Sequence, residues 1–292
     1  MTRIAIYTDE PKNQGGWHGA QLKQAFASRE VEVTFVTLQD CMIDLSCSKP
    51  CIQIPGFEDP PKAAFVRGIA GGTLQQVIAR LNVLHMLKML GVSIYNDGKA
   101  IERTVDKVMT SFLLHQAGVA TPQTWVCESR HYAHHIIEKN EQLVIKPIFG
   151  SQGQGVRLVN SHKLPLPMDA FVDGVFYLQS FIQSTHDYRV FVIHGKVVAS
   201  MKRTGTHWVN NVAAGGHCEA VQPNIMMMEL ALQAALALEI DYCGVDIIQA
   251  ASGEYYVLEV NSIPAWKGLQ SVTEVNIAQL LVDDFLRKMQ HA

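Results

Sequence analysis

Short apolar runs separated by polar breaks open the chain with the spacing of an α/β unit. Residues 4–7 predict a first strand. A Gly-rich turn, a helix over 19–28 and a strand over 31–37 complete one βαβ unit. Residues 63–67 predict another strand, leading through Gly71-Gly72 into a helix over 73–90 with the apolar stripe Leu74, Val77, Ile78, Leu81 and Leu84. Residues 92–96 form a short strand leaving this unit, and a new segment starts near Asp97. Thr104 is the expected N-cap of a helix that turns Val105, Val108, Met109, Phe112 and Leu113 inward and stops at Gly118 and Pro122. Lys107 then sits in the first helical turn, where a cation opposes the helix dipole.

From Leu143 the pattern changes to strand, glycine loop, strand: 143–147, then 150–155, then 156–159. Strands over 176–182, 189–193 and 196–201 follow, the last two joined at His194-Gly195, so this half is rich in antiparallel pairing. A helix over 225–238 is expected to present Met228, Leu232, Ala235 and Leu236 on one face. Strands over 243–249 and 255–261, joined by the turn 251–254, precede a C-terminal helix.

Composition narrows the class without choosing a function. At 292 residues the chain exceeds a usual single domain. The 48% hydrophobic and 17% charged residues argue against extended disorder. A net charge of −3 without a basic arm argues against nucleic acid as a partner. No apolar run approaches membrane-spanning length and no secretory signal is visible, so a soluble cytoplasmic protein is expected. The six cysteines contain no C-x-x-C pair, which fits a reducing compartment. Cys41, Cys47 and Cys51 are spaced too irregularly to indicate zinc.

Three features carry chemistry. Gly150, Gly153 and Gly155, with Ser151 and Gln152 between them, leave backbone amides open to phosphate oxygens; a mobile structural loop is the alternative. Lys146 lies in an apolar strand just before that loop, where phosphate would be its natural partner, although a solvent-facing lysine fits the alternation equally well. Asp246 lies in one late strand, and Glu259 and Asn261 share a face two residues apart in the next. If these strands pair across the Ser252-Gly253 turn, the three make an all-oxygen site suited to Mg²⁺. Arg189, Arg203 and Asn211 lie between these features, with Arg203 and Asn211 placed to act on phosphoryl or substrate oxygens. The histidines, including His85, His115, His134 and His135, fall on helical surfaces without partners at useful spacing.

In this order, Lys107, Lys146-Pro147, the glycine loop, Gln179-Ser180-Phe181-Ile182, Arg203, Gly215-Gly216, Gly244-Val245-Asp246 and Glu259-Val260-Asn261-Ser262 resemble the ATP-grasp ligases. The RimK-type α-L-glutamate ligases are the nearest group. The resemblance implies an ATP-grasp fold of mixed α/β and α+β class: an N-terminal α/β domain over 1–96, then α+β subdomains over 97–183 and 184–292 that clasp ATP. It also implies that Lys107 and Lys146 contact ATP, that Gln179, Ser180, Phe181 and Ile182 line the adenine pocket, and that Asp187 touches ribose. Asp246, Glu259 and Asn261 would bind two Mg²⁺ ions, with Mn²⁺ as an alternative, and Arg203 would steady an acyl phosphate. Ser180 departs from the Glu of many relatives, and Lys202 stands where RimK has Glu, so side-chain contacts near the nucleotide are expected to differ.

The implied reaction joins a small-molecule carboxylate to L-glutamate through an acyl phosphate, with Arg67 and Arg189 as substrate contacts. The segments Val66-Arg67-Gly68-Ile69 and 100–107 look like those of ligases tied to tetrahydromethanopterin, which implies a pterin-bearing acceptor. The resemblance further implies a homo-oligomer, dimer or tetramer, with no nucleic-acid or membrane partner. Two other readings stay open here: a ligase acting on a protein C-terminus or amino-acid carrier protein, and a non-catalytic ATP-binding module.

Overall fold

Ile4-Ala5-Ile6-Tyr7 does not alternate because it is buried on both faces, with Ile4 and Ile6 in one core and Ala5 and Tyr7 in another. This run lies in β1 (Thr2–Tyr7) of a computed structural model that describes residues 2–46, 48–150, 155–160, 162, 174–205 and 217–290. After β1 come α1 (Gly16–Ala27), β2 (Val31–Val36), a small hairpin of β3 (Met42–Asp44) and β4 (Cys51–Gln53), β5 (Ala63–Val66), α2 (Leu74–Met89) and β6 (Ser93–Tyr95). The parallel sheet has the order β2-β1-β5-β6. Thr73 caps α2 in a capping box with Gln76. Of the expected stripe, Leu81 and Leu84 are buried, but Leu74 and Ile78 are exposed because the first turns of the helix stand clear of the core.

The next segment begins with α3 (Gly98–Val105) and α4 (Lys107–Gln116). Here the expected cap is corrected. Asp106, not Thr104, caps α4, its Oδ1 accepting from Val108 N at 2.8 Å and Met109 N at 3.2 Å. Thr104 closes α3 instead, and its hydroxyl sits 2.6 Å from Ser262 Oγ. Both are capping residue types, and the break at Asp106 re-aims the helix. Thr110 and Leu114 are buried, while Val105, Met109 and Phe112 are exposed rather than inward.

β7 (Thr124–Cys127), α5 (Arg130–Lys139), β8 (Leu143–Lys146), β9 (Arg157–Val159) and β10 (Phe176–Ser180) follow, forming an antiparallel sheet of order β7-β10-β8-β9. The sequence reading missed β7 and α5. Only Ala133 and Ile137 of α5 are buried, too little to mark an apolar face amid histidines and charges.

The last sheet is built from β11 (His186–Ile193), β12 (Lys196–Thr204), β13 (His217–Ala220), β14 (Tyr242–Gln249) and β15 (Tyr255–Asn261), in the order β13-β12-β11-β14-β15. Its strands β11 and β12 run longer than expected because their ends carry the charged residues described below. Between β13 and β14, α6 (Ile225–Ala237) turns Met227, Ala231, Ala234 and Ala235 inward, whereas Leu236 is 79% exposed. Small alanines, not the larger Met228, Leu232 and Leu236, let the helix approach the sheet. The chain ends with α7 (Lys267–Gln270) and α8 (Ile277–Gln290).

α8 returns to the first sheet and joins it to the last. Phe26, Phe65, Tyr95, Tyr242 and Phe285 form one aromatic cluster in a core that also contains Phe191 and Met201. Asn96, fully buried, donates to Tyr242 O at 2.7 Å and Ser262 O at 2.6 Å and accepts from Asp241 N and Tyr242 N. Every polar atom of this amide is spent on fixing β14 and the end of β15 against the N-terminal unit. Among the described residues no helix is long and apolar enough to cross a membrane.

Candidate active site

The five-stranded sheet sets a row of charge across its strands. Arg189 on β11 stands opposite Asp246 on β14, Asp246 stands opposite Glu259 on β15, and Gly244 stands opposite Asn261. The two last strands therefore pair as expected, and Asp246 lies beside Glu259. Arg189 grips Asp246 with two donors, Nε to Oδ1 and Nη2 to Oδ2, the latter at 2.9 Å. From β12, Arg203 reaches Asp246 Oδ1 with Nη2 at 3.1 Å and Asp187 Oδ1 with Nε at 2.6 Å. All four side chains are buried.

Burial alone would raise the Asp246 carboxyl, but the two guanidinium groups outweigh it and hold it below the ordinary carboxylate range. Glu259 goes the other way, pushed up by burial and by the Asp246 charge despite Lys107, Arg189 and Lys146 nearby. Gly244 is required for this packing. A Cβ there would lie 2.9 Å from Arg189 and 3.0 Å from Pro264, so the glycine lets the arginine lie across β14.

A second set of groups faces Glu259 from the antiparallel sheet and α4. Lys146 is turned into the cleft rather than to solvent, and its Nζ donates to Gln179 Oε1 at 2.6 Å. Gln179, 3% exposed, is itself fixed by donating to Thr124 Oγ1 at 3.1 Å. Lys107 heads α4 and donates to Gly150 O at 2.8 Å and Ile148 O at 3.2 Å, tying that helix to the base of the glycine loop. The narrow cleft between is lined by Thr104, Lys107, Ser111, Tyr177, Gln179 and Glu259. Ser111 Oγ and Tyr177 OH, 2.7 Å apart, were not singled out in the sequence because neither sits in a motif.

Other expected residues fall as follows. Gly150 and Gly155 both have positive φ, 141° and 74°, where a side chain would be strained. Ser151, Gln152, Gly153, Asn211, Gly215, Gly216 and Cys47 lie outside the described residues. The backbone N–H groups of Ser180 and Phe181 donate to Gln123 O at 2.8 Å and Gln142 O at 3.2 Å, so those two amides are committed within the chain. Ile182 is half-buried two residues beyond β10. Asp187 is engaged by Arg203. Arg67 stands apart from this row, directly after β5, with its guanidinium 5.1 Å from the Trp266 ring centroid. His85 does have a partner, Glu102 at 3.3 Å, which the sequence reading overlooked because the two lie on different helices.

The pattern of the RimK-like ATP-grasp domain matches residues 104–285. The tetrahydromethanopterin:α-L-glutamate ligase of Methanocaldococcus jannaschii is 34% identical over 270 residues, covering 88% of this chain and 90% of that protein. This chain belongs to the RimK-like ATP-grasp ligases. A probable α-L-glutamate ligase of Vibrio vulnificus is 30% identical across 98% of the ligase and 95% of its own length. In fold, the ligase aligns with the ATP-grasp ligase PsnB complexed with a minimal precursor, with a TM-score of 0.78 at 19% identity over 98% of this chain and 99% of that one.

The site of the ligase suits a hard divalent cation. Mg²⁺ takes one or two protein carboxylates and completes its shell with phosphate oxygens and water. Glu259 and the amide of Asn261 could contribute to such a set, with Asp246, whose oxygens Arg189 and Arg203 occupy in the free protein, as a third member. Asn261 would offer its Oδ1 to a cation; its Nδ2, buried without a hydrogen-bond partner among the described residues, is a donor left for an anionic oxygen. Among the described residues no group of three or more His, Cys, Asp or Glu gathers as an all-protein metal cage.

Lys146 makes the site sensitive to pH. Burial lowers its ammonium to about pH 8, only partly opposed by Glu259. The cationic form predominates below that value and is lost above it, and only the cation attracts phosphate. ATP binding to the ligase is therefore expected to weaken about tenfold per pH unit above about pH 8, the slope of one coupled proton. Titration of ATP at pH 7, 8 and 9 checks this. Lys146→Met should bind weakly at all three; an unchanged pH slope in that variant assigns the effect elsewhere.

Proposed function

We propose that the ligase uses Mg-ATP to activate an acceptor carboxylate and couples it to the amino group of L-glutamate, the acceptor being a pterin-bearing acid of the tetrahydromethanopterin type. The observation that carries this reading is the cross-strand pair of buried Asp246 and half-buried Glu259, with Lys107 and Lys146 facing Glu259. Four cations, Lys107, Lys146, Arg189 and Arg203, face three carboxylates there. Such a row favours an incoming polyphosphate. The names of the relatives support glutamate and the pterin acid.

In this reading, Lys146 and Lys107 hold the phosphates, with Gln179 fixing the direction of Lys146. The stretch 179–182 lines the base. Asp246, Glu259 and Asn261 would hold the metal, which when bound offsets phosphate charge. The acceptor carboxylate attacks the γ-phosphate, giving an acyl phosphate and ADP, and the amine then displaces phosphate to form the amide. Arg203, aimed from β12 across Asp246, neutralises the oxygens of the transferring group, with Asn211 as a further contact. Arg67 receives substrate carboxylate. The division into units at 1–96, 97–183 and 184–292 puts ATP between the latter two. The five described cysteines are all free, which supports a cytoplasmic setting.

ADP release should require Mg²⁺, an acceptor acid and glutamate together. A coupled ADP assay across a panel of carboxylates and amino acids tests this. Binding of ATP without turnover in any combination would identify a non-catalytic module, and turnover with a carrier protein or peptide instead of the pterin acid would reassign the acceptor.

A further inference from the structure

The N-terminal sheet reverses its strand order between β1 and β5: β2 lies on one side of β1, while β5 and β6 lie on the other. In open parallel sheets, the loops leaving the carboxyl ends of the two strands at such a reversal bound a crevice suited to a ligand. Here one loop follows Tyr7 and leads to His18 in the first turn of α1. The other begins at Arg67 directly after β5. Arg67 N and Gly68 N both donate to Tyr7 O, at 2.7 and 3.0 Å, so the two loops are joined at their roots.

Arg67 and His18 both pack on Trp266 here, and among the described residues each of the three carries a donor without an acceptor. The Arg67 guanidinium rests on Trp266 and reaches Ile263 O at 3.4 Å, but its Nε is buried with no partner among the described residues. Asp9 and Glu10 act on Arg67 electrostatically, yet among the described residues no carboxylate pairs with it. Trp266 Nε1 is likewise buried without a partner among the described residues. His18 stacks edge-on against Trp266 at 4.5 Å and accepts the Trp266 backbone N–H on Nε2 at 3.1 Å. Burial, Arg67 and Lys267 keep this imidazole neutral down to about pH 3. An accepting Nε2 on a neutral ring leaves the proton on Nδ1, which has no partner among the described residues. A desolvated guanidinium lacking an anion is costly, and its fork with one further N–H matches the two oxygens of a carboxylate.

We infer that Arg67 and His18 form one carboxylate subsite in the β1–β5 crevice, with Arg67 supplying the charge, the His18 Nδ1–H a second hydrogen bond, and Trp266 the floor. The inference rests on the ligase reading and deepens it: His18, in no recognised motif, becomes a specificity-determining residue. Pro264, two positions before Trp266, packs against Gly244 where Arg189 crosses β14, so the segment that carries the subsite's floor passes the Arg189–Asp246 pair.

The full-length protein with Mg-ATP tests this through separate KM values for acceptor and L-glutamate. His18→Phe keeps a ring against Trp266 but removes both ring nitrogens. It should raise the KM of one of these substrates about tenfold, the loss of a hydrogen bond to a charged group, while leaving the KM of ATP unchanged. His18→Asn restores an N–H near the Nδ1 position and should recover most of the loss in KM; because both variants lose the Nε2 acceptor of the Trp266 backbone N–H, both should melt lower than the parent by a similar amount. Which KM moves tells whether the carboxylate belongs to acceptor or amino acid. If neither moves more than twofold, or ATP moves equally, the subsite is wrong while the ligase stands. If the parent turns over nothing, the ligase reading fails. Calorimetry with glutarate then decides the subsite alone: binding lost in His18→Phe supports it, and no binding to the parent overturns it.

Discussion

Glu259→Gln is expected to lower kcat by about 10³-fold while leaving the fold as stable as the parent or slightly more so. The two halves of this expectation come from the same geometry. Glu259 stands half-buried directly opposite Asp246, and both desolvation and that neighbouring charge push its carboxyl up, so its ionised form is a strained presence in the free protein. An amide of the same shape removes the repulsion, and thermal melting should show no loss. Chemistry fares differently, because in the proposed reading the same carboxylate anchors a cation against the phosphates. Lys107 and Lys146 are untouched, so ATP should still bind. A secondary sign follows at Lys146. Glu259 helps to hold the Lys146 ammonium as high as about pH 8, so the pH at which ATP binding begins to fall should move lower in the variant. A kcat within threefold of the parent would sink the metal assignment, and a lower melting temperature would show that Glu259 has a stabilising partner that this geometry omits.

How much of this was legible beforehand depended on whether the signal was local. The strands carrying Asp246 and Glu259 could be aligned from the sequence because a four-residue turn joins them and residues two apart share a face. The orientation of Lys146 could not, because its cleft-facing position is fixed by Gln179, 33 positions away on β10. The Thr104 cap failed for a related reason. Two capping residues stand two positions apart, and the choice of Asp106 depends on Thr104 being drawn to Ser262 on a distant strand. Helix faces on α4 and α6 were misjudged by favouring size, whereas α6 meets its sheet through alanines. His18 left no trace in the pattern. A histidine beside a tryptophan after two glycines gains meaning only when the carboxyl ends of β1 and β5 meet Trp266 from the far end of the chain.

Arg203→Ala should cost both stability and catalysis, and a second substitution should separate them. Arg203 is the side chain that holds Asp187, and it shares Asp246 with Arg189. Without it, Asp246 keeps a bidentate partner but Asp187 is left buried and alone. Its carboxyl is already pushed up to about 6 by burial and the Asp246 charge. Removing one member of a buried pair typically costs about 3–5 kcal/mol, and loss of an arginine that neutralises a transferring phosphoryl group costs about 10³-fold in kcat. Adding Asp187→Asn to Arg203→Ala takes away the stranded charge, so the double variant should recover most of the stability in denaturant melts and none of the turnover. That non-additivity in stability is the signature of direct coupling. Asp187→Asn alone then distinguishes two roles for the acid. A ribose contact predicts a higher KM for ATP with kcat preserved. The pairing observed here, Arg203 Nε to Asp187 Oδ1 at 2.6 Å, predicts the reverse, since an amide holds the guanidinium less firmly in its aim. A lower kcat with the KM of ATP unchanged would establish Asp187 as the residue that positions Arg203, and a rise in that KM alone would return it to the nucleotide.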